Sequence, residues 1–179
     1  MNDPTPRMPP GGLGRLFASV AEPGRTGAVL AQIQAECAAA GVAWFEPGQA
    51  IGGRYEVQQR HHGGFGVVYL CRCLGPEHYA RSGNLVALKA PLPRHLADPE
   101  MRELFIEEAA HCVALGPHPN LVLAYGVEEH NRLPFLVLEC IPGARSLADA
   151  IVAGATGWRT ALRTGLGMAR GLAFAGLIH

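Results

Sequence analysis

Residues 61–70, HHGGFGVVYL, put Gly63, Gly64 and Gly66 directly ahead of an alternating apolar run. A strand depends on side chains that pack, so clustered glycine marks a place where the chain turns or where another group meets the main chain closely. Tyr55–Gln59 before the cluster and Val67–Cys71 after it therefore read as two strands of a hairpin with an unusually glycine-rich connection. Successive free N–H groups in such a loop can face phosphate oxygens, yet ordinary turns use glycine too. The cluster alone leaves both readings open.

The pattern that follows narrows the fold to α+β. Leu85–Lys89 (LVALK) reads as a third strand. Asp98 is a good helix N-cap, Pro99 suits the first helical position, and Glu100 and Glu103 complement the positive helix end. Further strands are expected at Leu121–Val127 and Phe135–Glu139. Ser146 with Asp149 opens a short helix reaching about Val152. A final helix from Trp158 to about Phe174 carries Trp158, Leu162, Leu166, Ala169 and Leu172 on one face. Upstream, residues 1–24 are Pro- and Gly-rich and read as disordered, and Val29, Leu30, Ile33 and Cys37 fall at helical spacing within 27–40.

Composition excludes several classes. Fifteen Lys and Arg balance fifteen Asp and Glu, which gives no electrostatic case for nucleic acid or an anionic membrane. No apolar run approaches the ~20 residues of a membrane-spanning helix. Cys37, Cys71, Cys73, Cys112 and Cys140 are odd in number and lack zinc-site spacing, so reduced thiols and a cytoplasmic location are expected, with no metal site.

Lys89 ends an apolar strand, where an inward charge needs a partner. On the next helix Met101, Leu104, Phe105, Glu108 and Cys112 share one stripe, which puts Glu108 among apolar side chains, while Glu107 falls with Glu100, Glu103 and His111. A carboxylate on a buried face is costly unless paired, so Lys89–Glu108 is the expected pair.

Together these parts resemble the start of the eukaryotic-type protein kinases, bacterial serine/threonine kinases in particular. GGFGVVYL is similar to the glycine-rich loop, VALK to the third-strand lysine motif, and EEAAHCVALGPHPNLV to the αC segment through its His-Pro-Asn turn. FLVLECIPG resembles the fifth strand and hinge, and MARGLAFAGLIH the helix leading to the catalytic loop, ending at His179. The resemblance implies a kinase-like fold with a five-stranded antiparallel N-lobe sheet, an αC helix and an incomplete C-lobe. The implied divisions are a disordered stretch at 1–24, a helical extension at 25–50, an ATP-binding lobe at 51–139, and the hinge with the start of the second lobe at 140–179.

The resemblance also implies roles. Lys89 would bind the α/β-phosphates of ATP, held by Glu108. Arg60, His61, His62, Gly63, Gly64, Phe65 and Gly66 would form the loop over the phosphates, with Val68 and Ala87 against adenine. Leu138 would be the gatekeeper, and the backbones of Glu139 and Ile141 would bond adenine. Cys140 would lie near it. His61 stands where the family has its first loop glycine. The family's catalytic Asp, its Mg2+ ligands and Asp-Phe-Gly would follow His179. The expectation is therefore a kinase fragment, inactive alone, whose full form transfers phosphate from ATP to Ser or Thr of a protein. A non-catalytic, pseudokinase-like scaffold is the alternative, and a plain interaction domain a third.

Overall fold

The computed structural model describes residues 35, 39, 44–62, 66–75, 84–141, 143–154 and 156–177. Ala35 and Ala39 are helical and exposed; the rest of the expected helix at 27–40, the stretch at 1–24, Gly63, Gly64, Phe65 and His179 lie outside the described residues.

Six strands form one antiparallel sheet: β1 Ala50–Ile51, β2 Tyr55–His62, β3 Gly66–Cys73, β4 Leu85–Pro91, β5 Ala124–His130 and β6 Leu133–Glu139, in the order β1-β2-β3-β4-β6-β5. The expected five strands are all present, and β1 is the addition. A strand of two residues is too short to show a period of two, so this edge strand had no pattern to read. The fifth strand begins at Ala124 rather than Leu121, because residues 118–121 close a turn in which Asn120 N–H donates to His118 Nδ1 (3.1 Å) and Leu121 N–H to the His118 carbonyl (3.1 Å).

Four helices follow β4 in the described chain: α1 Pro93–Leu96, α2 Pro99–Leu115, α3 Leu147–Val152 and α4 Trp158–Leu177. Asp98 caps α2 by accepting from Glu100 N–H (3.0 Å), and Ser146 caps α3 by accepting from Asp149 N–H (3.0 Å). The β5–β6 hairpin turns on Asn131 and Arg132, both left-handed (φ 53° and 64°), as a two-residue connection demands.

Alternation along the strands gives the sheet two unlike faces. Tyr55, Val57, Tyr69, Cys71, Val86, Leu88, Phe135 and Val137 point to one face and build the larger core with Phe45, Ile51 and Leu92. Phe45, Tyr69 and Phe135 meet there ring to ring, with centroids 5.9–6.3 Å apart. The other face carries Val68, Ala87, Lys89, Leu136 and Leu138, and α2 packs on part of it through Phe105 and Ala109. Beyond the sheet, α4 lies against residues 118–121. A Cβ on Gly171 would come within 3.0 Å of the Asn120 carbonyl, and His118 stacks on Phe174 at 4.6 Å. Trp158, Leu162, Leu166 and Leu172 of α4 remain exposed. Among the described residues no helix is long and apolar enough to cross a membrane.

Candidate functional site

Register decides what the second face holds. Lys89 stands directly across from Val68 on β3 and Leu136 on β6, while Ala87 stands across from Leu70 and Leu138. Residues directly opposite share a face, so Lys89, Val68, Ala87 and Leu138 form one surface. Val68, Ala87 and Leu138 are half-buried, whereas Lys89 is only 7% exposed. This is a half-open apolar wall with a cation sunk at one end.

Glu108 comes from α2 to within electrostatic reach of that cation. It is 5% exposed, and with Lys89 it makes up the charged side chains of the core among the described residues. Its neighbour Glu107 is exposed, as the helical spacing requires. Burial pushes the Glu108 carboxyl up and lowers the Lys89 ammonium, and the attraction between the two opposes both shifts. Glu108 Oε2 has no hydrogen-bond partner among the described residues. A buried acceptor left this way costs free energy, typically about 1–3 kcal/mol, and persists where a site must hold polarity ready.

Cys112, one turn beyond Glu108, was placed on the same stripe from sequence but given no role. Its thiol lies within electrostatic reach of both Lys89 and Glu108, and burial raises its pKa, which keeps it protonated. The i+4 spacing from Glu108 was the available signal; nothing in a lone cysteine says that its neighbours are charged.

The described residues on either side of the glycine-rich connection adjoin this wall. His61 stands across from Val68 and His62 across from Val67, so His61 lies on the Lys89 face and is exposed. Gly66 is buried, and a Cβ there would fall 2.6 Å from the Ala90 carbonyl oxygen. The third glycine is thus required by close strand approach, whatever else it does. Arg60 is not brought to the site. It stands across from Tyr69 and faces the larger core, where its guanidinium stacks on Trp44 (4.3 Å) and pairs with Glu46 (2.7 Å).

At the far end of the wall, Glu139 is fixed twice to Leu123: its N–H donates to the Leu123 carbonyl (2.9 Å), and its Oε1 accepts from Leu123 N–H (2.7 Å). Ile141 is exposed just beyond, its carbonyl accepting from Ala144 N–H (3.1 Å). Cys140 is half-buried, with its thiol pKa raised by burial.

A strand lysine and a helix glutamate sunk together beside an open apolar wall and a glycine hairpin invite comparison with known proteins. No protein-family profile matches the chain. A probable serine/threonine-protein kinase from Bifidobacterium longum, pknA2, is 32% identical over 141 residues, which is 75% of this chain. The kinase domain of Mycobacterium tuberculosis PknI superposes with a TM-score of 0.57 over 74% of the chain at 20% identity. A further kinase-domain crystal structure gives 0.51 over 62% at 18% identity.

The chain belongs to the protein kinase family. It carries the curled antiparallel sheet with its packed helix and the first helices of the second lobe of that fold. This kinase chain spans 18% of the length of the Bifidobacterium relative and 52% of the PknI kinase domain. In it the large core faces away from the apolar wall and the charged pair lies beside that wall. Among the described residues no group of three or more His, Cys, Asp or Glu is placed to hold a metal ion.

Proposed function

We propose that the open face of the sheet binds ATP as part of a serine/threonine protein kinase, whose reaction moves the γ-phosphoryl group to a protein hydroxyl. The observation that carries this reading is the buried Lys89 beside Glu108, set against the half-open wall of Val68, Ala87 and Leu138. The wall offers a planar apolar group a place out of water, and the Glu139 carbonyl and Ile141 N–H are the backbone groups at its edge that adenine would meet.

Lys89 would neutralise the α- and β-phosphates, and Glu108 would hold the ammonium in position while drawing polarity from the buried Oε2. Gly63, Gly64 and Gly66, with His61 and His62, would bring backbone N–H groups over the phosphates. The fit to a nucleotide is good on these grounds. The fit to Mg2+ is not: the described residues offer no carboxylate set for it, and no step is derived through the metal. The division into an ATP-binding lobe at 51–139 and a hinge with early second lobe at 140–179 follows the same reading, and chemistry that uses ATP and free thiols favours the cytoplasm.

Thermal melting with and without Mg-ATP tests the reading. The parent chain should melt higher with nucleotide, and Lys89→Met should remove that rise while the protein stays folded, since one such electrostatic contact in a water-excluded site is worth about 3 kcal/mol. An equal response in both proteins would show that Lys89 has no part in binding; no response in either would remove the nucleotide reading itself.

A further inference from the structure

Strand β2 changes register in its middle, at a bulge between Val57 and Gln59. Before the bulge, Tyr55 and Val57 are fully buried, and their apolar side chains fix which face the strand presents. Beyond it the strand reads Gln59, Arg60, His61, His62, with no apolar side chain at all. A polar strand end specifies its pairing weakly, and a slip of one residue would turn His61 away from the face it shares with Val68 and Lys89. Something other than hydrophobic burial must hold this end.

Arg60 is placed to do so. Its side chain is 12% exposed, although it lies three residues before a glycine stretch at the end of a hairpin strand. The guanidinium carbon sits 4.3 Å from the centre of the Trp44 ring, and Nη1 donates to the Phe45 carbonyl (3.1 Å) and pairs with Glu46 Oε1 (2.7 Å). Trp44 Nε1 donates to the same carboxylate oxygen at 3.0 Å. The grip is firm because its far side is firm: Phe45 is 6% exposed and packs edge-on against Tyr69, the residue directly across from Arg60. A planar cation stacked on a ring, with one nitrogen shared between a backbone carbonyl and a carboxylate, is a directional contact that a one-residue slip could not keep.

We propose that Arg60 is a positioning residue for the nucleotide site. By clasping Trp44, Phe45 and Glu46 on the far face, it locks the register of Gln59–His62 beyond the bulge and so sets where His61 stands relative to Val68 and Lys89. Arg60 itself never touches the ligand. The ligand in this statement rests on the nucleotide reading above; the register lock does not.

Amide hydrogen exchange and Mg-ATP titration on the full chain test the two halves separately. Arg60→Ala and Trp44→Ala should each speed exchange at residues 59–62 and 67–70 by about tenfold, leave residues 55–57 and 71–73 at parent rates, and weaken Mg-ATP binding by about tenfold. Arg60→Lys keeps the charge without the planar guanidinium and should fall between parent and alanine. The double variant should be no worse than Arg60→Ala alone, because both changes break one clasp. Exchange that is unchanged, or that rises equally on both sides of the bulge, overturns the lock. Local loosening with unaltered nucleotide affinity overturns the positioning role. A parent chain that does not bind Mg-ATP removes the ligand half, and the exchange comparison still decides the lock. If Arg60→Ala fails to fold, Trp44→Ala breaks the same stacking from the other side and carries the comparison.

Discussion

The face of the sheet built on Tyr55, Tyr69, Leu88 and Phe135 is closed, with each of these side chains at most 2% exposed, while Val68, Ala87 and Leu138 on the opposite face stay half open. Both faces come from the same strands by simple alternation, so the difference lies in what covers them. The closed face is capped by Phe45, Ile51 and Leu92, and even its charged neighbour Arg60 is tied down. The open face is covered by α2 over part of its width, and there it holds a buried cation and a buried carboxylate. Stability is concentrated on one side of a single sheet and chemistry on the other, which leaves the second face free to carry groups that a well-packed core would reject.

Substitutions can break this contrast from either side. The largest effect expected is on the closed face: Phe135→Ala should cost about 3–5 kcal/mol in denaturant unfolding, since the ring is fully buried between Phe45, Tyr69 and His130. Whatever fraction stays folded should bind nucleotide with parent affinity. The converse belongs to the open face. Replacing both buried charges, Lys89→Met with Glu108→Leu, should leave stability unchanged or raise it by about 1–4 kcal/mol, while the response to Mg-ATP disappears. A large loss of stability in that double variant would mean that the pair holds the fold together, and the contrast between the faces would fail.

Gly66 lies where the two roles meet. Gly66→Ala forces a Cβ to within 2.6 Å of the Ala90 carbonyl, and the backbone shift that relieves it should cost about 1–3 kcal/mol. Calorimetry showing parent stability with weakened nucleotide binding would instead assign this glycine to the ligand alone.

The smallest effect is a pH dependence on the closed face. Burial, with a lesser contribution from Cys73, pushes the Cys71 thiol from 9.0 up to about 12. The folded chain keeps this proton where the unfolded chain releases it, so stability is full below about pH 9 and falls as pH rises toward 12. Unfolding measured at pH 7, 9 and 10.5 should show that decline, and Cys71→Ala should make it shallower. A decline of equal slope in the variant would place its origin in another buried group, such as Tyr125, whose pKa burial also raises.

Much of this was legible in the sequence because it follows from local periodicity. Asp98 and Ser146 cap the helices expected of them, and Glu108 is buried while Glu107 is not, since 3.6 residues per turn leave no other arrangement once Phe105 faces the core. The pattern was less faithful at Leu104, which shares the stripe yet is 43% exposed. A stripe shows which side of a helix is apolar, and only the surface it meets decides how much of that side is covered.

Arg60 marks the limit most clearly. The family resemblance set it in the loop over the phosphates, and unbroken alternation along β2 would have turned it to the Lys89 face. The bulge between Val57 and Gln59 breaks that alternation, and Arg60 joins the opposite face with a tryptophan 16 residues upstream. The sequence by itself determined the order of strands and helices, their caps, and which glutamate of α2 turns inward, because each depends on spacing within an element. Only the tertiary structure decided the register beyond the bulge, the covering of one face, and the approach of Gly66 to Ala90. Those depend on which distant segments come together, and no local pattern of side chains encodes that.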